Sequence, residues 1–461
     1  MEWISRRYGS ATLKRRLAVP LTLTVVAMSL PMITFATPAW ATGPTISDFA
    51  GSYTACSSSP CGDTYAASSA TLNSSTGLTV DSQGNVFVAD SADNVVRMIP
   101  AKSNRYFNIA MTSGHIYTIA GNYTACTTTS CGTGVATSAE LNDPSGLAVD
   151  SAGDVYIADA GDDAVRLVNE QSDDITTVVG EMGRACTLIP CGGVTSAALS
   201  TFLNDPSGVA WDQSTSSLYI ADTGDDFVRV LHDGTVSYVA GWYDYLATVG
   251  SNSCLLSGSI ACGDGGPALS TAAGFAALWH PTDVAVDSNG NLFIADQSDF
   301  SVRMIPASNG SHYGISGMVA GDIYLVAGVE GASCSGSCGS NGQLGSNVFF
   351  DNPDYITLDS PAVVGGDSDI FISDSTTSVV RMLAGSTRGA WNAGDIYTVA
   401  GQLQSPCSTP PSSTACGDGS VATSAYLKAP RQTGLDAAGD LFIVDSTDNV
   451  VSLSARLGPD F

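Results

Sequence analysis

The amino-acid sequence predicts an all-β fold, a six-bladed β-propeller. Three observations predict it. One three-strand pattern occurs six times along the chain. Each copy is completed by one further short apolar strand, and one pair of cysteines punctuates each repeat. Self-similarity at a fixed period marks a repeat architecture, because one unit alone cannot bury its apolar faces.

The pattern reads LNSSTGLTVDSQGNVFVADSADNVVRMI from Leu72 and LNDPSGLAVDSAGDVYIADAGDDAVRLV from Leu141. It continues as LNDPSGVAWDQSTSSLYIADTGDDFVRVL from Leu203 and LWHPTDVAVDSNGNLFIADQSDFSVRMI from Leu278. A looser copy opens with FDNPDYITLD at Phe350, takes an insertion, and resumes as DIFISDSTTSVVRML. The last is LKAPRQTGLDAAGDLFIVDSTDNVVSLS from Leu427. In the second copy the strands are GLAVD, VYIAD and AVRLV, each alternating or continuously apolar. Asp150 and Gly153 suit the tight hairpin between the first two.

A fourth strand follows five copies: IYTIAG from Ile116, ITTVVG from Ile175, VSYVAG from Val236, IYLVAG from Ile323 and IYTVAG from Ile396. The sixth copy has none after it. ISDFAG, from Ile46, instead precedes the first copy. Six three-strand units with six fourth strands, one circularly displaced, are what ring closure requires. The N-terminal strand is expected beside NVVSLS of the last blade, which removes an exposed sheet edge.

Residues 1–41 read as an export signal. Arg6, Arg7, Lys14, Arg15 and Arg16 form a basic head, an apolar run spans Leu17 to Leu30, and PAWA places Ala39 and Ala41 at peptidase spacing. Cleavage is expected after Ala41, with residues 42–461 forming the propeller and no membrane span remaining. The rival reading is an uncleaved anchor, but the run is short and broken by Pro20 and Pro31. The export route stays open. The chain carries a formal charge of −27. Without its first 41 residues it keeps 12 basic and 43 acidic residues, a net of −31. Such a field repels phosphate backbones, so no nucleic-acid partner is expected, while cations and basic partners are attracted.

The twelve cysteines fall into six local pairs. Cys56 goes with Cys61, Cys126 with Cys131, Cys186 with Cys191, Cys254 with Cys262, Cys334 with Cys338, and Cys407 with Cys416. One pair per repeat, none left over, and an export signal together point to disulfides. A zinc reading would need distant pairs to converge, and histidine is scarce. Closing each small loop stabilises by about 2 kcal/mol.

LNDPSGLAVD, VYIADAGDDAVRLV, GDIYTVAG and CGDGGPALSTA together resemble the NHL-repeat β-propellers, especially exported bacterial forms. The resemblance covers nearly the whole chain after the signal. It implies the propeller fold and a family of protein- and RNA-binding modules, cell-surface domains and a few lyases.

The chemistry-bearing residues are few. His115, His232 and His312 fall on connections opposite His280, so a three-histidine metal site is not expected. Related propeller hydrolases hold a divalent cation in the channel with Glu, Asn and Asp. Here only Glu140 stands beside a blade start. The second strand ends in Asp six times (Asp90, Asp159, Asp222, Asp296, Asp374, Asp445), and the third carries Arg five times (Arg97, Arg166, Arg229, Arg303, Arg381), with Ser452 in the sixth. Repetition in every blade marks these as structural ties.

One rim should gather the blade starts and the turns after the second strands. It would present Asn142, Asp143, Asn204 and Asp205 as ligand-binding candidates. It would also present Asp162, Asp163, Asp225 and Asp226, adjacent carboxylates suited to Ca²⁺. The plainer reading is that Asn and Asp cap turns. His280, Lys428 and Arg431 break the repeat and complete the ligand candidates. No catalytic residue and no definite cofactor is identified. The expectation is a secreted, monomeric, non-enzymatic binding or scaffold protein for a protein or glycan ligand. The alternative is a hydrolase or lyase with a divalent metal in the central channel. Long third-to-fourth connections carrying Tyr106, Tyr313 and Trp391 are expected to pack beneath the ring or to form a second binding face.

Overall fold

A computed structural model describes residues 44–57, 59–128, 131–184, 195–242, 263–270, 277–336, 338–359, 366–389, 391–407 and 416–455. The export-signal reading lies outside the described residues. Among the described residues no helix is long and apolar enough to cross a membrane.

Six antiparallel blades follow the six repeats. In blade 2 the strands run from Pro144–Val149, innermost, through Val155–Asp159 and Ala164–Val168 to Asp174–Val179. The hairpins form where Asp and Gly stand in the repeat. Asp150 Oδ1 accepts the N–H groups of Ala152 and Asp154, and Gly153 takes φ +88°, a region glycine enters freely. Ring closure is as the sequence predicts. Ile46–Gly51 pairs antiparallel with Val450–Ser454, from Ile46 opposite Ser454 to Gly51 opposite Val450.

One feature exceeds the expected four strands. In blades 2 to 5 a two- or three-residue strand adds to the outer edge, for example Gly134–Val135 against Asp174–Val179. In blades 1 and 6 single bridges, Ala66 with His115 and Thr45 with Val421, hold the same place. The chain leaving one blade therefore pairs with the start of the outer strand of the next before running inward.

Six apolar layers form the core, one between each pair of neighbouring blades. Phe87, Met98, Leu147 and Ile157 lie between blades 1 and 2; Val88, Leu78, Phe442 and Val451 lie between blades 6 and 1. Strands buried on both faces explain the near-continuous apolar runs of the repeat. The long connections pack beneath these layers. Tyr106 and Phe107 are buried, with Phe107 edge-on to Phe87, and Tyr313 sits edge-on to Phe293.

Of the six expected cysteine pairs, four stand at disulfide spacing. Cys56 with Cys61 and Cys126 with Cys131 each have Cα atoms 5.4 Å apart. The separation is 5.1 Å for Cys334 with Cys338 and 5.0 Å for Cys407 with Cys416. No described cysteine is free. The other two expected pairs, Cys186 with Cys191 and Cys254 with Cys262, lie outside the described residues.

Candidate functional site

The blade starts and the turns after the second strands do share one rim. Asp159 Oδ1 accepts the Asn142 N–H at 2.8 Å, and Asn142 Nδ2 donates to Gly161 O at 2.9 Å. Asn204 repeats this with Asp222 and reaches Asp225 at 3.2 Å. Asn142 and Asn204 thus spend their polar atoms inside their own blades.

The adjacent carboxylates do not act as pairs. Asp162 and Asp225 turn inward and are 3% and 4% exposed. Asp163 and Asp226 turn to the following blade, where Asp163 Oδ1 accepts the Asp205 N–H at 3.1 Å and Asp226 Oδ1 accepts the His280 N–H at 2.8 Å. Each holds a left-handed backbone, φ +52° and +60°, which Asp tolerates. The expected Ca²⁺ pairs are therefore split between two structural jobs.

Below the rim blades 1 to 4 each bury an ionic cluster. In blade 1, Arg97 bonds Asp63 at 2.8 Å, Asp90 at 3.3 Å, and the carbonyls of Thr71 and Cys61 at 2.9 and 3.2 Å. Arg166 meets Asp159, Arg229 meets Asp222, and Arg303 meets Asp296. In blade 5, Arg381 donates to the Cys338 carbonyl at 3.0 Å, so the disulfide loop again supplies an acceptor. Burial pushes the carboxyls of Asp90 and Asp159 up to about 7, against the pull of their arginines. The sulfur of Cys61 lies 3.2 Å from Asp93, and that of Cys416 lies 3.3 Å from Asp448. Two of the described disulfides thus touch a buried carboxylate of their own blade.

At the centre of the rim stand the residues that precede the innermost strands. Ser74, Asp143, Asp205 and His280 are exposed there with φ near +50°. Partial desolvation pushes the Asp143 carboxyl up, Asp205 adds to the shift, and Arg431 opposes it. His280 pulls Asp205 the other way from desolvation. Asp143, Asp205, His280 and Arg431 are thus within electrostatic reach of one another, from four different blades. Lys428 is not with them. Its Nζ lies 3.8 Å from Asp448, inside blade 6.

Two buried acids at this end escaped the sequence reading. Where blades 2 and 3 read Pro-Ser-Gly, blade 4 reads Pro-Thr-Asp and blade 5 Pro-Asp-Tyr. Asp354 is fully buried and receives Arg431 at 2.8 Å, Gln297 at 2.5 Å and Asn352 at 2.8 Å. Asp283 accepts the Ile356 N–H at 3.0 Å through Oδ2, while its buried Oδ1 has no hydrogen-bond partner. Burial raises Asp283 to about 8. The departure from Ser-Gly was the available signal.

The channel opens at the other end. At the rim end the innermost strands touch backbone to backbone, and a Cβ on Gly77 or Gly146 would collide with the carbonyls of Ser145 or Ser207. The C-terminal halves of the same strands line a cavity of about 260 Å³ with Val149, Trp211, Ala285, Thr357 and Leu435 among its walls. No Asp, Glu or His lines it among the described residues. The donor set expected for a channel metal is absent from the cavity wall, so the residues do not fit the metal that the alternative reading requires.

The family model of the teneurin NHL domain matches residues 95–244. NHL repeat-containing protein 2 of Bos taurus is 24% identical over 166 residues, which cover 35% of this chain and 20% of that protein. The chain thus spans about a fifth of the length of the curated relative it matches. Among solved structures, an auxiliary nutrient binding protein of Bacteroides ovatus ATCC 8483 superposes with a TM-score of 0.55 at 10% identity, covering 89% of this chain and 76% of that one. A second such protein, of Bacteroides thetaiotaomicron VPI-5482, gives 0.54 at 12% identity, covering 88% and 75%. At these identities the likeness is one of fold. Repeat signature, matched family model and six-bladed ring agree: residues 95–244 match an NHL domain, and the described chain folds as a six-bladed β-propeller.

Proposed function

We propose that this chain is an exported, non-catalytic binding propeller whose rim captures a basic segment of a partner protein. One observation carries the reading. Asp143 and Asp205, from adjacent blades, present exposed carboxylates on the rim, held by backbone ties to Asn94 and Asp163. Two like charges on rigid backbone favour a cationic guest and lose little entropy on binding it. The net acidity of the chain would steer such a guest toward the surface. The export signal and the paired cysteines support action outside the cell.

Calorimetric titration with a lysine- and arginine-rich peptide tests this. Binding should weaken steeply between about 50 and 200 mM salt, as screening of exposed charges requires. Asp143→Asn with Asp205→Asn should weaken it at least about tenfold, roughly 1.4 kcal/mol. Binding of glycans but not of the peptide would move the ligand to carbohydrate. Turnover of lactones or glycans that a chelator abolishes would overturn the non-catalytic reading.

A further inference from the structure

The disulfide of blade 1 joins a covered sulfur to an accessible residue. Cys61 is 4% exposed, whereas Cys56 is half-buried, with Thr54, Ala55, Ser57 and Ser59 exposed around it. The other described half-cystines, Cys126, Cys131, Cys334, Cys338, Cys407 and Cys416, are all buried. A thiol arriving from solvent therefore meets Cys56 before any of them. In thiol–disulfide exchange a thiolate attacks one sulfur along the line of the S–S bond, and the other sulfur departs with the electron pair. In blade 1 that line runs outward from the covered Cys61 to Cys56, so the approach to Cys56 lies on the solvent side.

The departing sulfur has a proton source beside it. Asp93 Oδ2 lies 3.2 Å from Cys61 Sγ, and Asp93 Oδ1 accepts Asn73 Nδ2 at 2.9 Å. A disulfide sulfur carries lone pairs and no hydrogen, so this contact is favourable when the carboxyl oxygen brings the hydrogen. Desolvation raises the Asp93 carboxyl above its ordinary value, against the pull of Asn73 and Arg97. A thiolate released in a covered place is costly, and a neighbouring proton removes that cost.

The other blades supply only half of this arrangement. In blade 6 Asp448 lies 3.3 Å from Cys416 Sγ, and in blade 2 Asp162 stands within 4.8 Å of the sulfurs of Cys126 and Cys131, but both cysteines of each pair are buried. In blade 5 Thr377 takes the place of the acid, and Gln404 Nε2 lies 3.7 and 3.6 Å from the sulfurs of Cys334 and Cys338. Among the described residues, an accessible cysteine and an acid on its disulfide partner coincide in blade 1 alone.

We propose that the Cys56–Cys61 disulfide is a thiol-exchange site, at which a low-molecular-weight thiol attacks Cys56 and Asp93 protonates the departing Cys61. The incoming thiolate sulfur bonds to Cys56 Sγ as the Cys56–Cys61 bond breaks. The electron pair of that bond goes to Cys61 Sγ, which takes the proton of the Asp93 carboxyl. The products are a mixed disulfide on Cys56, a thiol on Cys61 and a carboxylate on Asp93. In the reverse direction Asp93 takes the proton back as Cys61 expels the guest thiol. One disulfide replaces another, so no oxidant or reductant is consumed beyond the thiol itself. The site does not depend on the ligand proposed for the rim.

The test incubates the full mature protein, natively folded, with reduced glutathione. The reaction is quenched with acid, free thiols are alkylated, and the cysteines are mapped by mass spectrometry. Glutathione should appear on Cys56 together with an alkylated Cys61, at least about tenfold faster than on any other described pair. Divided by the concentration of glutathione thiolate, the rate should fall as pH climbs from about 5 to 8, because the Asp93 proton is lost. Asp93→Asn keeps the shape and the acceptor for Asn73 but has no proton to give. It should react at least about tenfold more slowly at pH 5 and lose the slope. Asp93→Thr, which carries the blade 5 residue, should do the same and serves where Asp93→Asn does not fold. Asp448→Asn, beside a covered pair, should leave the Cys56 reaction unchanged. Glutathione spread evenly over several pairs, or absent from Cys56, overturns the proposal. So does a slope with pH that persists in both Asp93→Asn and Asp93→Thr.

Discussion

The side chain of Asn449 accepts the backbone N–H of Ser74 at 2.9 Å, joining the last repeat to the first across 375 residues of sequence. The same bond joins Asn94 to Asp143, Asp163 to Asp205 and Asp226 to His280. In blades 4 and 5 the position holds Phe300 and Ser378, and no such bond forms among the described residues. Asn449 combines a left-handed backbone, φ +56°, with a side chain that fixes the next blade. Asn449→Ala should therefore lose stability by about 1–2 kcal/mol, from the lost bond and the strained φ together. Asn449→Asp keeps the acceptor and should lose less. Chemical denaturation of the three proteins checks the order.

Closure through Ile46–Gly51 leads to a larger effect. Without that strand Val450–Ser454 would present unpaired donors and acceptors to other chains. Ile46 and Ala50 would also leave two of the apolar layers. Deleting residues 42–51 should lower the melting temperature sharply and promote aggregation. Removing residues 457–461 should change neither. Unchanged melting and solubility after the 42–51 deletion would show that the ring closes in some other way.

The buried Arg166–Asp159 pair, 3.3 Å apart with both side chains fully covered, gives a prediction that depends on pH. Arg166→Met leaves Asp159 without its counter-charge, at a cost of about 3–5 kcal/mol while the carboxylate is ionised. Burial, and Asp162 next to it, already raise Asp159 to about 7. A carboxyl raised above its unfolded value stabilises the fold at low pH and loses that contribution as pH climbs through the folded value. The penalty of Arg166→Met should thus be small near pH 5 and largest above pH 8. Thermal melts at both ends measure it, and an equal penalty at the two would contradict the assignment.

What the sequence revealed and what it hid divide along physical lines. Repeat copies expose the strands, their order and the displaced Ile46–Gly51 strand, since each obeys the same apolar spacing. The outer strands such as Gly134–Val135 are too short to carry a period. Side-chain direction in a turn has no spacing signal either, so Asp162 and Asp163 look alike in sequence yet face opposite ways. Lys428 stands out as an oddity because Ser452 is one: each departs from the repeat around the same buried Asp448 and Asp445. Two departures in one repeat mark one changed cluster, and reading them together would have found it.

Asp283 offers the cleanest titration in the molecule. It stands where blades 1 to 3 have Gly77, Gly146 and Gly208, and it is fully buried. Its Oδ2 accepts the Ile356 N–H of the next blade, and no cation compensates its charge among the described residues. Burial is the leading cause of its rise to about 8, and the N–H bonds of Ile356 and Val284 only moderate it. In the unfolded chain the same carboxyl ionises near its ordinary value, about 3.9. Between these two values the folded form holds a proton that the unfolded form has released. Stability from this group is therefore full below about pH 4 and declines as pH rises toward 8. Asp283→Asn removes the titration while keeping an oxygen for the Ile356 N–H. The variant should melt close to the parent at pH 5 and above it at pH 9, by about 2 kcal/mol of stability. The slope of melting temperature against pH between 6 and 9 should flatten correspondingly. A variant that melts below the parent at pH 9, or that keeps the parent's slope, would show that Asp283 stays ionised in the folded protein and that its buried Oδ1 has found a partner.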